Sequence, residues 1–189
     1  MPLDFTNIIK GRITETLLMA LFERGGYRVT RLGIEELFAE VKHLDLAKYQ
    51  ALALPLQLRY LPDLLVVELE LTNAFLVEVK FRKKFDESAT VSLHAALSKQ
   101  RQYWPQAYTV IMTSEPFVPE ASFHQDYIRV LKPNETDLLI DQNLSTVQRW
   151  EKLHHLQRVF KRFNNSNYIH DVQQSADRLT QTLRDLANL

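Results

Sequence analysis

Two apolar runs, residues 64–70 and 74–82, constrain the fold more than any other part of the chain. Both are rich in Val, Leu and Phe, and the Thr72-Asn73 pair between them is typical of a tight turn. The sequence therefore predicts a β-hairpin whose strands are largely buried. Charged residues nevertheless accompany these strands: Asp63 precedes the first run, and Glu78 and Lys80 lie within the second.

The alternation of side chains along a strand groups these charges. Successive residues point to opposite sides, so Glu78 and Lys80 share one face of the second strand while Val77 and Val79 take the other. A buried carboxylate or ammonium costs several kcal/mol unless it is paired or binds a ligand. A structural ion pair would meet that requirement, and so would a functional site.

The turn predicts how far apart the acids lie. If Thr72-Asn73 is a two-residue turn, Asp63 shares a face with Glu78 but stands opposite Arg82, about 13 Å along the strand from Glu78. Carboxylates that share one metal ion lie within about 5 Å of each other, because oxygen–metal distances are about 2.0–2.6 Å. A bulge, a bend near Pro62 or a looser turn is needed to close that gap.

The N-terminal segment is apolar at helical spacing, and Thr6 or Asn7 can cap a helix there. Gly25-Gly26 predicts the end of this helix. Its buried stripe is predicted to consist of Ile9, Ile13, Leu17 and Ala20. Glu15 lies off that stripe and is expected at the margin of the core.

Short periodic segments predict the remaining elements. They are strands over 27–32, 108–114 and 127–131, a short helix over 34–41, and helices over 91–103, 145–163 and 171–188. Residues 42–60 mix helical and extended signals around Pro55 and are treated as an insertion. Without the short helix and the insertion, the order is helix, three strands, helix, two strands. This order predicts an α/β domain over residues 1–133, with a mixed sheet flanked by helices, and a C-terminal helical extension over 134–189.

Composition narrows the classes of function. The chain has 23 basic and 23 acidic residues, so any nucleic-acid binding must come from local patches rather than net charge. It has no cysteine, so a metal would need oxygen or imidazole ligands, and the six histidines show no ligand spacing. His154 and His155 are expected at the surface, and Trp150 in the core or a dimer contact. No signal peptide or membrane span is recognisable, which predicts a cytoplasmic protein without a membrane partner.

Pro62-Asp63, fourteen further residues and then Glu78-Val79-Lys80 on an apolar strand resemble the signature of the PD-(D/E)XK nuclease superfamily. An earlier helix bearing Glu15, followed by GGYRV at 25–29, is similar to the N-terminal half of its Holliday-junction-resolvase-like and restriction-endonuclease-like domains. The core of that superfamily is a helix, three strands, a helix and a strand. The same order is predicted here for about residues 5–114.

The resemblance implies hydrolysis of DNA phosphodiester bonds with Mg²⁺ or Mn²⁺, including bonds in branched recombination or repair intermediates. Asp63, Glu78 and the carbonyl of Val79 would be metal ligands, with Glu15 bound directly or through water. Lys80 would orient the attacking water and stabilise developing charge. The expected catalytic residues are Asp63, Glu78, Lys80 and Glu15. The alternative is a catalytically silent relative that binds nucleic acid or a protein partner through its helical C-terminus.

Further polar residues follow the second strand and recur on the next helix. Those predicted to contact nucleic acid are Arg82, Lys83, Lys84, Lys99, Gln100 and Arg101. Gln100 and Trp104 have the spacing of the QxxxY motif of the RecB-like branch, with Trp in place of Tyr. Such residues also commonly do no more than solvate a loop or helix. The apolar C-terminal helices would suit a homodimer, since double-strand cleavage often uses two sites.

Overall fold

Helices and strands are interspersed along the chain, as the sequence predicts for an α/β protein. The structure is a computed structural model that describes residues 5–38, 41, 44, 46–115, 127–164, 178–179, 181–182 and 184–185. The helices are α1 (Phe5–Arg24), α2 (Ile34–Leu37), α3 (Leu46–Ala51), α4 (Leu56–Arg59), α5 (Glu87–Arg101), α6 (Thr146–Lys152) and α7 (Leu156–Val159), with 3₁₀ helices at Thr136–Ile140 and Lys161–Asn164. The strands are β1 (Tyr27–Arg31), β2 (Leu64–Glu68), β3 (Ala74–Arg82), β4 (Tyr108–Thr113) and β5 (Ile128–Leu131). Within this part of the chain, none of the helices is long and apolar enough to cross a membrane.

The five strands form one mixed sheet in the order β1-β2-β3-β4-β5. Neighbours are antiparallel except β3 and β4, which are parallel. A parallel pair needs a crossover connection, and α5 supplies it. Asp86 starts this helix by accepting a hydrogen bond from the backbone N–H of Ala89 at 3.0 Å. The predicted α/β class, with a mixed sheet flanked by helices, is confirmed.

Each face of the sheet carries its own apolar core. On one face, α1 and the C-terminal segment pack on the strands, with Phe22, Phe160 and Phe163 among the buried rings. On the other face, α5 and α6 cover Ile111 and Leu131. Because residues alternate along β3, Glu78 and Lys80 point to the α5 face.

The buried face of helix α1 is shifted from the predicted one, although Ile13 and Leu17 of the predicted stripe are half-buried and pack against the core. It begins at Phe5, so Thr6 and Asn7 lie inside it rather than cap it. Ile9 is 37% exposed and Ala20 is exposed, whereas the buried positions are Thr14, Leu18, Leu21 and Phe22. The side chains of Leu18, Leu21 and Phe22 fill the core, so the face that carries them is the one buried against the sheet. Gly25-Gly26 does end the helix, as predicted, and a Cβ at Gly25 would lie 2.3 Å from Phe163 Cε1.

The single helix predicted over 145–163 is wrong in its middle. Leu153 is extended, and His154 exchanges backbone hydrogen bonds with Val130 of β5 at 2.8 and 2.9 Å. The apolar spacing that suggested one helix arises because Trp150, Leu156 and Phe160 all reach buried positions from α6, α7 and the turn after α7. Trp150 is a core residue, which is one of the two positions predicted for it.

The helix predicted over 171–188 falls mostly outside the described residues. Those that are described at 178–179, 181–182 and 184–185 are helical. Leu179 joins the α1-side core, and Arg184 Nε donates to the hydroxyl of Tyr127 at 2.6 Å. The described residues after position 133 therefore pack against the same sheet as the residues before it.

Candidate active site

The register of β2 against β3 brings the predicted acids together. Leu64 pairs with Val77, and the next position along the strands places Asp63 opposite Glu78. The expectation that Asp63 would stand opposite Arg82 is therefore wrong by four residues. Facing side chains of an antiparallel pair have Cβ atoms about 4.5–5.5 Å apart, so the two carboxylates are neighbours across the strands.

A longer turn than predicted sets this register. Thr72-Asn73 does not form a two-residue turn, because strand pairing ends at Val67 and Ala74 and the N–H of Glu68 donates to the carbonyl of Asn73 at 3.0 Å. The side chains of Thr72 and Asn73 both donate to the carboxylate of Glu68, at 2.5 and 2.7 Å. The loop is closed further by the N–H of Leu71, which donates to the carbonyl of Glu68 at 2.8 Å, and Leu71 has a left-handed φ of 58°. The signal that sequence reasoning missed was Glu68, an acid at the end of an apolar run.

Asp63 is fixed by contacts with two strands. Its Oδ2 accepts a hydrogen bond from the backbone N–H of Val79 at 2.7 Å. Its own carbonyl accepts from the N–H of Leu32, just after β1, at 2.8 Å. The carboxylate of Asp63 therefore sits where β2 stops covering the edge of β3.

Glu78 is the centre of the site and is 6% exposed. Lys80 Nζ forms an ion pair with Glu78 Oε1, and Gln100 Nε2 on α5 donates to Glu78 Oε2. The same Gln100 amide nitrogen donates to the carbonyl of Tyr60 at 3.3 Å. Because both partners only accept, the orientation of this amide is fixed, and its buried Oε1 is left without a hydrogen-bond partner.

The charges of the site shift its pKa values. Burial raises the pKa of Asp63 well above its usual value, and repulsion from Glu78 and, more weakly, Glu15 adds to the rise; Lys80 and the Val79 N–H oppose it. For Lys80, burial acts to lower the pKa, but attraction to Glu78 and Asp63 outweighs it and raises the pKa overall. Lys80 is therefore an ammonium at neutral pH.

Glu15, on α1, acts on the site through its charge. It is half-buried, on the helix line that continues to Met19 and Phe22, and its charge is felt by Asp63. Within the described chain, no group of three Asp, Glu or His side chains has the spacing of a metal site. The structure therefore brings Asp63 and Glu78 together as a pair, with Glu15 near enough to act on Asp63 through charge.

A cavity of about 510 Å³ opens over these residues. Its lining comprises Gly33, Ile34, Tyr49, Leu58, Arg59, Tyr60, Leu61, Asp63, Glu78, Lys80, Ala96, Leu97, Lys99 and Gln100. Sequence reasoning missed Tyr49, Arg59 and Tyr60, which belong to the segment treated as an insertion. Their mixed helical and extended signals gave no reason to connect them with Asp63.

The predicted nucleic-acid contacts lie in three settings. Lys83 and Lys84 are exposed and stand near acids, 3.6 Å from Glu115 and 3.4 Å from Asp86. Lys99 is exposed at the rim of the cavity. Gln100 is inside the cavity rather than on an outer surface.

The two predicted arginines are more constrained. Arg82 Nη1 donates to the carbonyl of Phe81 at 2.7 Å, and burial lowers its pKa. Arg101 donates to the carbonyl of Lys132 at 2.9 Å and to the hydroxyl of Thr136, so its guanidinium joins α5 to the chain after β5. These contacts stabilise the packing of α5 against the chain after β5. The contact of Arg101 with nucleic acid stays a prediction.

The adjacent histidines are not the plain surface residues that were predicted. His154 Nε2 lies 2.9 Å from Glu135 Oε1, and His155 Nδ1 lies 2.7 Å from Arg129 Nη1. Both rings are half-buried, because the break between α6 and α7 turns them toward β5.

Comparisons with known proteins add no further constraint on this site. The chain matches no protein-family model, no curated protein and no solved structure. What the site can do is therefore argued from its own geometry: two facing carboxylates, an ammonium paired with one of them, and a fixed amide, all at the base of one cavity.

Proposed function

We propose that the chain is a Mg²⁺- or Mn²⁺-dependent nuclease that hydrolyses DNA phosphodiester bonds, and that its sheet is a restriction-endonuclease-like core of the PD-(D/E)XK type. The observation that carries the proposal is the β2–β3 register, which sets Asp63 opposite Glu78 with Lys80 next on the same face. A hairpin that is only structural folds without three charged groups at one buried point, and burying them costs free energy. The motif, the order of elements and this register support the same function.

The donor atoms of the site fit a hard divalent cation. Asp63 and Glu78 offer carboxylate oxygens. Val79 offers its carbonyl on the same strand edge, because the N–H and C=O of one strand residue point to the same neighbouring strand. Such a set, completed by water, is typical of Mg²⁺. A cation there would also relieve the repulsion by Glu78 and Glu15 that helps to raise the pKa of Asp63.

Lys80 supplies a fixed positive charge for the reaction. When bound, the metal would lower the pKa of an attacking water and neutralise charge on the scissile phosphate. Lys80 stays protonated at neutral pH, so it donates hydrogen bonds to that water or to a phosphate oxygen and does not act as the base. The water oxygen would bond to phosphorus as one ester P–O bond breaks, and one proton of that water would pass through solvent to the leaving oxygen, which departs as a hydroxyl group.

The test is cleavage of labelled DNA by purified protein. Single-stranded, duplex, splayed and four-way-junction substrates are incubated with Mg²⁺, Mn²⁺ or a chelator, and metal binding is measured by calorimetry. We expect cleavage that needs the metal. Lys80→Ala is expected to reduce kcat/KM about 10²–10³-fold, as for removal of one preorganised charge stabiliser. Lys152→Ala, an exposed lysine on α6, is the matched control and should cleave like the wild type.

The alternative, a silent nuclease-like protein, draws support from one observation. Lys80 and Gln100 already satisfy the two oxygens of Glu78, which is also what a structural ion pair would require. Absence of both metal binding and cleavage on every substrate would favour this alternative. Removal of the C-terminus cannot decide the matter, because Trp150, Phe160 and Phe163 belong to the cores.

A further inference from the structure

Residues 46–60 form one wall of the cavity above Asp63 and Glu78. This stretch contains α3 and α4 and is here named the cover segment. We propose that this wall makes the site a pocket for one unpaired strand, so that the substrate class is single-stranded DNA or an unpaired DNA end rather than continuous duplex. The inference deepens the proposed nuclease function and rests on it for the reaction. It concerns which form of DNA reaches Asp63 and Glu78.

The cover segment is held in place by specific contacts. Arg59 Nε donates to the carbonyl of Leu54 at 3.4 Å, and its guanidinium lies 5.2 Å from the ring centre of Tyr49. On the α5 side, Trp104 Nε1 donates to the carbonyl of Gln57 at 3.0 Å. The cover segment is therefore held by contacts among its own residues and by a hydrogen bond from Trp104, which follows α5.

A stacked pair of rings completes the join. Tyr60, at the end of the cover segment, lies parallel to Tyr103 just after α5, with centroids 5.4 Å apart and planes at 5°. The carbonyl of Tyr60 also accepts from Gln100, the residue that contacts Glu78. The wall and the candidate catalytic residues are thus parts of one contact network.

The depth of the site limits what can enter. Glu78 is 6% exposed, so a phosphate must descend into the cavity to reach it. A volume of about 510 Å³ lies within the range of about 300–1,000 Å³ typical of small-molecule sites, which is too small to hold a duplex. An unpaired strand has no partner strand to keep its backbone outside.

The chemistry of the lining suits such a strand. Tyr49 and Tyr60 present aromatic rings, and Arg59 and Lys99 present positive charge, within one lining. Aromatic and cationic side chains together are the usual means of binding single-stranded nucleic acid, since bases stack on rings and phosphates pair with cations.

An independent observation points to a ligand in this cavity. Gln100 is 5% exposed, and its Oε1 has no hydrogen-bond partner, while its Nε2 is held by two acceptors. A buried carbonyl oxygen without a donor is costly. The lining therefore offers one unpaired acceptor, which a hydrogen-bond donor of a bound ligand, such as the N–H of a base, can satisfy.

Binding of fluorescent oligonucleotides tests the inference without requiring cleavage. Wild-type protein in chelator is titrated with a single-stranded oligothymidylate and with a blunt hairpin duplex at one salt concentration, and anisotropy is read. We expect at least about tenfold tighter binding to the single strand, with Tyr49→Ala reducing that affinity about tenfold and leaving duplex affinity unchanged. Tyr49→Phe, which keeps the ring, should bind like the wild type.

Gln57→Ala is the matched control, since this exposed side chain is on the same segment. Its affinity should equal that of the wild type, and melting curves check that each variant is folded. Equal affinity of the wild type for single strand and duplex would overturn the inference. It would also be overturned if Tyr49→Ala bound both DNAs as tightly as the wild type does, or if it lost affinity for both to the same extent.

Cleavage assays separate this inference from the proposed function. Cleavage of duplex as fast as single strand in Mg²⁺ would overturn the inference and leave the nuclease proposal standing. No cleavage of any DNA, together with single-strand binding that depends on Tyr49, would remove the nuclease proposal and support the pocket for an unpaired strand.

Discussion

The two ends of strand β2 carry acids in opposite circumstances. At one end, the carboxylate of Glu68 accepts hydrogen bonds from Thr72 and Asn73, and these bonds lower its pKa. At the other end, Asp63 faces Glu78, and burial and repulsion raise its pKa. The charged form of Glu68 is stabilised by its neighbours, whereas burial and repulsion outweigh the stabilisation that Lys80 and the Val79 N–H give to the charged form of Asp63.

The contrast separates a structural acid from a functional candidate. An acid that only shapes a turn is expected to be satisfied locally, as Glu68 is. Like charges held close at some cost to stability are characteristic of sites that bind or react, where the missing ligand supplies the compensation. The two are connected here, because the loop that Glu68 closes sets the register that brings Asp63 to Glu78.

The strongest test of this contrast is Asp63→Asn. The amide oxygen can still accept from the Val79 N–H, while the negative charge near Glu78 is removed. We expect kcat/KM for DNA to fall at least about a hundredfold. The metal-free protein should at the same time melt higher, since each kcal/mol of relieved repulsion corresponds to about 2–4 °C in a protein of this size. Cleavage assays and thermal melts of one preparation measure the two effects. A melting temperature below that of the wild type would contradict the view that the charge of Asp63 destabilises the fold.

At the opposite end, Glu68→Ala should destabilise the protein. The substitution removes the acceptor for the side chains of Thr72 and Asn73. A hydrogen bond to a charged group contributes about 1.5–3 kcal/mol when it is buried, and less near the surface. We therefore expect the free energy of unfolding to fall by about 1–2 kcal/mol. Urea denaturation measures it. Leu69→Ala, at an exposed position of the same loop, is the control and should change stability by less than about 0.5 kcal/mol. Unchanged stability in Glu68→Ala would show that the loop does not depend on its carboxylate.

The contributions of Glu68 and Asp63 to the free energy of unfolding should depend on pH with opposite signs. Glu68 has a lowered folded pKa, so its stabilisation is present above pH 4.5 and is lost as pH falls through the folded value. Asp63 has a raised folded pKa, so its destabilisation is full above that value and disappears as pH falls and the acid takes up a proton. Denaturation of wild type, Glu68→Gln and Asp63→Asn from pH 3 to 8 measures both differences; differences of the same sign would refute the assignment.

The smallest effect is expected at the tip of the loop. Leu71 is 70% exposed with a left-handed φ of 58°, a conformation that costs a residue with a Cβ about 1–2 kcal/mol. Leu71→Gly should raise the free energy of unfolding by up to about 1 kcal/mol, because glycine adopts this φ without steric cost, and that relief outweighs the larger backbone entropy that glycine loses on folding. Cleavage and DNA binding should not change. A change in cleavage would mean that the tip and the site are coupled more closely than the contacts indicate.

Sequence reasoning was right about the shared face and wrong about the distance. Asp63, Glu78 and Lys80 were predicted on one face because alternation has a period of two, and a shift of four residues preserves it. The distance depended on the turn, and Thr72-Asn73 has the composition of a tight turn. In the structure, the side chains of Thr72 and Asn73 both bond to Glu68 within a longer loop, and this contact has no counterpart in the local sequence pattern.

The site also gained residues that no local pattern marks. Tyr49 and Arg59 lie in a segment with mixed signals, and they enter the lining only because the cover segment folds back over β3. Gln100 was one of several polar residues on a helix, and it became a contact of Glu78 because α5 crosses that face of the sheet. Similarly, His154 left its predicted helix because an open strand edge was available at Val130.

The sequence by itself determined the α/β class, the strands of the central hairpin and the face on which the charges meet, because these follow from local periodicity. The tertiary structure decided the register, the depth of the site and its aromatic wall. These depend on contacts between residues far apart in the chain, such as Gln100 with Glu78, whose free energies have no signature in any short stretch of sequence.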